Sequence, residues 1–338
     1  MNKTLVFIVV ISCFAFGFCL KLDSIFPEHF PSTSYNFTNN PLDSSVIQLG
    51  RTLFYDPLLS KDGTISCASC HSPYNGFAHT DHDLSHGIND SIGTRNAPAL
   101  FNLAWQSSFM WDGASNHLDV QALAPLNHAG EMGETTLNVI DKLNNSEVYK
   151  MLFAKAFNTN KATAPLMLKA LAQFQLTLIS SNSKYDKVMT SEMEFTEMEN
   201  KGYQLFKKQC NSCHTEPLFS SYQFANNGLP MDSSLMDYGK GAITLISEDS
   251  MTFKIPSLRN LSYTYPYMHD GRFKKLNEVI NHYTNGIEAT EHLSEELKTP
   301  IKLSSNQKVE LIAFLKTLND NSFIFNPDNK YPKEILNQ

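Results

Sequence analysis

Two copies of the pentad Cys-x-x-Cys-His constrain this chain more than any other feature. They are CASCH at 67–71 and CNSCH at 210–214. The spacing is that of c-type haem attachment, in which both cysteines form thioethers and the next-door histidine binds the iron. Disulfides or a four-cysteine zinc site would use the same cysteines, but neither explains the histidines, and a Cys-x-x-Cys disulfide closes too small a loop to stabilise much. The sequence therefore predicts two covalent haem c groups, held by Cys67, Cys70, His71, Cys210, Cys213 and His214.

The first 20 residues predict an export signal. Lys3 precedes an apolar run from Leu5 to Leu20 that is short for a membrane span. Cleavage near the small-x-small motif at 15–17 would release a soluble chain, whereas processing before Cys19 would leave a lipid anchor there. We expect a periplasmic or otherwise exported protein, with membrane contact only through such an anchor.

The rest of the chain predicts a mainly α fold with two tandem cytochrome c-like haem domains and long loops. Apolar residues recur at helical spacing in 41–54, 164–180 and 305–320. The lead-ins LGRTLF (49–54) and KGYQLF (201–206) form a weak internal repeat before each pentad. We place the N-terminal domain at 21–190 and the C-terminal domain at 191–338. The formal charge of −7 argues against a nucleic-acid partner.

Ordered blocks along residues 45–320 resemble the dihaem cytochrome c peroxidase and MauG family. Examples are SHGINDSIGTRNAPALFNLAW (85–105), MWDGASNHLDVQALAPLNHAGEMG (110–133), FKIPSLRNLSYTYPYMHDG (253–271) and LNEVINHYTNG (276–286). The resemblance implies a peroxidatic haem in the N-terminal domain and an electron-transfer haem in the C-terminal domain.

For the first haem, the resemblance implies a catalytic glutamate with a glutamine nearby, and an iron whose sixth coordination position is open. Glu131 matches the family's catalytic glutamate and Gln121 a nearby glutamine; burial in a haem pocket would raise the pKa of such a carboxyl. A surface carboxylate is the alternative for Glu131. In the peroxidase branch a loop histidine caps the iron, and Ile88 stands at that place here, so the iron is expected to be open, as in MauG. His86 lies two residues earlier and remains the alternative cap.

For the second haem, the resemblance implies Tyr283 as the sixth iron ligand, where peroxidases have methionine. His282 is the competing ligand, or Tyr283 is an ordinary half-buried helix residue. His269 matches a residue near this haem and is expected to bond a propionate. Trp111 matches the tryptophan between the two haems and is expected to relay electrons, although burial in a core is the common role of tryptophan.

The resemblance also implies a calcium ion between the domains. Its ligands would be the Asn96 side chain and the backbone carbonyls of Thr264 and Pro266, oxygen donors of the kind that calcium prefers.

The resulting functional hypothesis is an exported dihaem peroxidase. It would reduce hydrogen peroxide with electrons from a small redox protein, either a cytochrome c or a copper protein. A MauG-like enzyme that oxidises side chains of a partner protein is the first alternative. A dihaem electron carrier, with His86 or another side chain closing the first iron, is the second.

Overall fold

The computed structural model describes residues 25–337, so the predicted export signal and Cys19 lie outside the described residues. The described chain is mainly helical, which confirms the predicted class. The α-helices are α1 (Ser44–Tyr55), α2 (Cys67–Cys70), α3 (Leu118–Gln121), α4 (Leu123–Asn127), α5 (Thr136–Asn144), α6 (Glu147–Phe157), α7 (Ala164–Leu176), α8 (Lys184–Met189), α9 (Glu197–Gln209), α10 (Gly241–Thr244), α11 (Leu276–Asn281), α12 (Ser305–Lys316), α13 (Asn321–Ile324) and α14 (Lys333–Leu336). Two-residue strands β1 (Phe224–Ala225) and β2 (Phe253–Lys254) pair antiparallel. None of the helices within 25–337 is long and apolar enough to cross a membrane.

Helix α1 shows how the sequence pattern becomes structure. Asp43 caps its N-terminus, because its carboxylate accepts hydrogen bonds from the backbone N–H groups of Ser45 (2.8 Å) and Val46 (3.2 Å). The apolar residues at helical spacing, including Leu49 and Leu53, are fully buried. The apolar runs at 164–180 and 305–320 form α7 and α12 as predicted.

The weak internal repeat corresponds to a repeated helix crossing. Gly50 lets α1 approach α7, where an added Cβ would lie 1.9 Å from the Ala170 carbonyl oxygen. Gly202 does the same for α9 on α12, where a Cβ would lie 2.0 Å from the Glu310 carbonyl oxygen. A residue without a Cβ is needed wherever two backbones come this close. The α1–α7 pair lies in one apolar cluster and the α9–α12 pair in another.

The C-terminal end of the chain returns to the first apolar cluster. Phe323 is 4% exposed and belongs to the same buried cluster as α1 and α7. The Tyr55 hydroxyl donates to the Asn329 carbonyl oxygen, and Arg51 Nε donates to the Lys330 carbonyl oxygen at 2.7 Å. Residues 321–336 therefore pack against the N-terminal half.

Candidate redox site

Each pentad is held by a short helical turn that aims its histidine inward. The His71 backbone N–H donates to the Cys67 carbonyl oxygen, and the His214 N–H donates to that of Cys210, both at 2.9 Å. The His71 Nδ1 lies 2.8 Å from the Phe77 carbonyl oxygen. His214 Nδ1 lies 3.1 Å from the Pro256 carbonyl oxygen. A carbonyl only accepts, so Nδ1 carries the proton in each ring and Nε2 keeps the free lone pair.

This arrangement fits haem c. All four pentad cysteines are free thiols, so they are available for thioether bonds. Burial lowers the pKa of both His71 and His214 to about 4, which keeps each imidazole neutral, the form that binds a metal. A backbone carbonyl on the other ring nitrogen is the usual way in which proteins orient a ligating histidine.

The loop beside the first pentad buries Ile88 and leaves the His86 side chain 24% exposed. Ile88 is 5% exposed, and its N–H donates to the Glu131 carbonyl oxygen at 2.8 Å. The ring of His86 instead bonds Asp90 (2.7 Å) and stacks on His82 with centroids 4.2 Å apart. The structure therefore brings Ile88, rather than the His86 imidazole, to the turn that carries Glu131.

Glu131 lies next to the first pentad. Burial raises the pKa of its carboxyl, and nearby His128, at 3.6 Å, opposes that rise. The pKa of the Cys70 thiol is raised to about 11 by burial and further by the charge of Glu131, which puts the two side chains within electrostatic reach. The Glu131 side chain nevertheless keeps 40% of its surface exposed. Its carboxyl lies beside a predicted haem attachment point, and a perturbed pKa is common among acid–base residues.

Trp111 lies in the loop before helix α3, and Gln121 is the last residue of that helix. Gln121 Nε2 contacts Met110 Sδ at 3.4 Å, which joins the end of α3 to the residue before Trp111. The Trp111 indole N–H donates to the Asn96 carbonyl oxygen at 2.9 Å. Trp105, by contrast, is 5% exposed in an aromatic core beside Phe30, as expected of a core residue.

Asn96 connects Trp111 to the C-terminal half. It is 5% exposed; its N–H donates to the His269 carbonyl oxygen (2.7 Å) and its amide to that of Asp83 (3.0 Å). The amide orientation leaves Oδ1 as the acceptor, and no partner for that oxygen is recorded among residues 25–337. The same side chain is the one for which the sequence predicts calcium ligation.

Asp81 and Asp83 lie close to the predicted calcium ligands, and the sequence patterns gave no sign of this. Together with Pro266 they line a cavity of about 110 Å³. Thr264 lies near Gly76, where an added Cβ would meet its methyl group at 2.8 Å. The described residues contain no cluster of three or more His, Cys, Asp or Glu side chains that could hold a metal ion.

The second pentad faces Tyr283 on a single turn of π-helix. That turn, His282–Gly286, continues directly from α11, and such turns occur often at functional sites. Burial raises the pKa of the Tyr283 phenol, Asn227 opposes the rise, and Cys210 and Cys213 add to it, which locates the phenol beside the pentad.

His282 and Met268 both have contacts with Asn227. The His282 ring is 4% exposed, with Nε2 3.0 Å from the Asn227 carbonyl oxygen. Met268 Sδ contacts the Asn227 amide at 3.5 Å. Of the candidate sixth ligands, the structure thus leaves Tyr283 with its functional group towards the pentad cysteines.

A buried ion-pair network joins both halves around Trp111. Arg95 binds Asp112, the residue after Trp111, at 2.5 Å and Asp237 at 2.6 Å. His269 is stacked on Phe253 with ring centroids 3.7 Å apart and planes at 10°. Asp237 and Phe253 have no local sequence signal for this position, because both are brought there by long-range packing.

The comparisons with known proteins agree with this geometry. Residues 44–194 match the family model described as di-haem cytochrome c peroxidase. The methylamine utilization protein MauG of Methylorubrum extorquens is 35% identical, over 82% of this chain and 79% of that protein. The cytochrome c551 peroxidase of Nitrosomonas europaea is 32% identical, over 86% of this chain and 84% of its own. A crystal structure of a MauG-like protein associated with microbial copper homeostasis superposes with a TM-score of 0.80 at 31% identity, covering 91% of this chain and 98% of that one.

Proposed function

Because the chain belongs to the di-haem cytochrome c peroxidase and MauG family, we propose that it is an exported enzyme that reduces hydrogen peroxide to water with electrons from a small redox protein. The observation that carries this proposal is that Glu131 lies close to both Ile88 and the pentad residue Cys70. The Ile88 N–H donates to its backbone, and its charge acts on the Cys70 thiol. These residues supply an acid–base group next to a predicted haem position, while the ring of the loop histidine His86 is bonded to Asp90 and stacked on His82.

The proposed haem domains are residues 21–190 and 191–338, each with one pentad and one close helix pair. His71 and His214 are the proposed axial ligands, and the four pentad cysteines the thioether attachments. When bound, the two haem groups supply one-electron redox chemistry and an iron site for peroxide. Side chains of the protein transfer the protons and carry the electrons between the two sites.

Glu131 is the proposed proton carrier. Its carboxylate takes the proton from the inner peroxide oxygen and returns it to the outer oxygen, which then leaves as water. The raised pKa matters because a more basic carboxylate takes up that proton more readily. Gln121 lies on the neighbouring helix α3 and is the proposed hydrogen-bonding partner of the bound peroxide.

Ile88 favours a first haem site that reacts with peroxide without prior reduction of the second haem. An aliphatic side chain has no donor for iron, and the His86 imidazole is committed to Asp90 and His82. For an electron carrier, His86 or another side chain would have to close the first iron, and His86 would first have to leave both partners, which favours an enzyme.

Tyr283 and Trp111 are the proposed electron-path residues. A phenolate from Tyr283 would stabilise oxidised iron at the second site and would lower its potential. Trp111 exchanges electrons between the two sites while its indole N–H stays hydrogen-bonded to the Asn96 carbonyl oxygen. His269 is the proposed propionate partner.

Calcium is proposed at Asn96, Thr264 and Pro266. The Asn96 side-chain oxygen is free to ligate, and Pro266 lies on the cavity that includes Asp83, whose carbonyl Asn96 binds. The calcium ion would balance negative charge near Trp111 and would stabilise the loop that contains Trp111.

A MauG-like activity on a partner protein is the second candidate. The placement of Ile88 and Tyr283 favours it, because both depart from the reductively activated peroxidase pattern, and a second haem of low potential is a poor acceptor for ordinary donors. The two candidates share the peroxide step and differ in the source of electrons.

The deciding experiment is low-temperature EPR of the oxidised protein before and after one equivalent of peroxide. A high-spin signal beside a low-spin signal, both lost on addition, supports the proposal. Two low-spin signals that are indifferent to peroxide would refute an open first site. Glu131→Gln should abolish the peroxide response with both haems retained, whereas the matched surface control Glu248→Gln should behave as wild type.

Turnover with reduced cytochrome c or a reduced copper protein then separates the two candidates. Rapid multiple turnover identifies the peroxidase. Reaction with peroxide but not with either donor identifies an enzyme that takes its electrons from a protein substrate.

A further inference from the structure

The four residues Phe253–Pro256, here called the bridging segment, connect the proposed second redox site to Trp111. Phe253 stacks on His269, and Pro256 accepts the His214 Nδ1 hydrogen bond. Between them, the Lys254 N–H donates to the Trp111 carbonyl oxygen at 2.7 Å. One short stretch of backbone thus fixes Trp111 relative to the axial histidine of the second pentad.

The Lys254 side chain makes a second attachment to the same loop. Its ammonium donates to Gln106 Oε1 (2.9 Å) and to the Ser108 carbonyl oxygen (2.8 Å), and lies 5.7 Å from the Phe109 ring centroid. These partners all precede Trp111 within the segment 106–111. Lys254 therefore holds that segment from both its backbone and its side chain.

The partners of this ammonium are neutral, which is unusual for a buried charge. No carboxylate among residues 25–337 forms an ion pair with Lys254. Asp112 acts on it electrostatically, but that carboxylate is bound to Arg95. Burial lowers the pKa of Lys254 to about 7, and Asp112 opposes the shift, so its charge changes within the ordinary working range.

We propose that Lys254 is a positioning residue for Trp111, which holds segment 106–111 against the bridging segment and controls, through its charge, how easily Trp111 is oxidised. This inference rests on the proposed relay function of Trp111. In that relay, Trp111 gives one electron to the site oxidised by peroxide and regains one from the second site or the external donor. A nearby cation opposes loss of the electron, so the neutral amine favours the step.

The other charged or titratable groups around the bridging segment are paired or stacked. Arg95 is bound to Asp112 and Asp237 and lies 5.9 Å from the Phe253 ring. His269 is stacked on Phe253, and burial lowers its pKa. Lys240, above the β1 residue Phe224, is paired with Asp249. Lys254 is the cation of this set without a carboxylate partner among the described residues.

The test compares wild type with Lys254→Arg and Lys254→Met in the intact two-haem protein. Arginine keeps the charge at all working pH values, and methionine keeps an unbranched apolar stem without the charge. The first measurement is ultraviolet resonance Raman spectroscopy of the resting protein between pH 6 and 9. Trp105, bonded to the Pro31 carbonyl oxygen, supplies an unchanged internal reference.

We expect the Trp111 indole bands of wild type to shift with a midpoint near pH 7. Neither variant should show that step, and Lys254→Met should have displaced bands at every pH. A wild-type spectrum that does not change with pH, or a step that persists in Lys254→Met, would overturn the proposal.

The second measurement is stopped-flow absorbance after one equivalent of peroxide. The phase that reports the second haem, resolved from the initial reaction with peroxide, should speed up by about tenfold from pH 6 to 8.5 in wild type, equivalent to about 1.4 kcal/mol, and should lack that step in both variants. A pH step retained in Lys254→Met would again refute the role. If no peroxide reaction occurs while the Raman step is present, the proposed function fails and the placement of Lys254 beside Trp111 stands.

Discussion

Replacing Gly202 by alanine should destabilise the protein, although alanine is the better helix former. The new Cβ would lie 2.0 Å from the Glu310 carbonyl oxygen, so α9 and α12 would have to separate by about 1.4 Å to reach an ordinary 3.4 Å contact. That separation disturbs the packing of Phe206 and Phe314, both fully buried. Overpacking of this kind costs about 3 kcal/mol at the upper end, and alanine returns about 1 kcal/mol of helix propensity. We expect a net loss of about 2 kcal/mol.

The assay is urea unfolding followed by far-ultraviolet circular dichroism, with the midpoint as the readout. Gln204→Ala, at an exposed position of α9, is the control and should change stability by less than about 0.5 kcal/mol. Gly50→Ala should behave like Gly202→Ala, because its Cβ meets the Ala170 carbonyl oxygen at 1.9 Å. A Gly202→Ala protein as stable as wild type would show that the helices separate freely and would refute the close-crossing argument.

Three further predictions concern charge and metal. Arg259→Met should cost about 3–5 kcal/mol, because it removes the guanidinium from the buried Asp186 carboxylate and leaves it only His29 and Ser183; Lys201→Met, at the exposed pair with Glu197, should cost far less in the same urea assay. Arg259 holds the pKa of Asp186 below its ordinary value, so this contribution is present above the unfolded-state pKa near 4 and should be lost as the pH falls through the lower folded-state value. The rate of reaction with peroxide should rise with pH through the raised pKa of Glu131, since the base form is required, and the Glu131→Gln rate should lack that dependence. Asn96→Ala should abolish calcium binding measured by calorimetry if that ion is present, and calcium bound with unchanged affinity would exclude Asn96 as a ligand.

Local patterns were sufficient for the pentads and for the helices. The cysteine spacing is a property of five adjacent residues, and the apolar spacing of α1, α7 and α12 is a property of one helix face. The paired glycines 50 and 202 were visible as a repeat, but their reason, two close helix crossings, required the partner helices.

Contacts between distant parts of the chain could not be predicted in this way. Arg95 and Asp237 are 142 residues apart, and Lys254 and Gln106 are 148 apart. No periodicity connects such pairs, because the fold alone brings them together. Lys254 was therefore missed. The roles of Trp111, Tyr283 and Asn96 came from family resemblance and stay predictions until the experiments above are done.

The return of the C-terminal segment to α1 has a kinetic consequence. Arg51 and Lys330 are joined across 279 residues, so the N-terminal core acquires its last apolar side chains only when the end of the chain is available. Contacts of such long sequence separation slow folding, because loop closure costs entropy before the contact is gained. The N-terminal core therefore remains incompletely packed until Phe323 and Ile324 have joined it, and the first pentad, whose Cys67 packs against that core, is less enclosed during that interval.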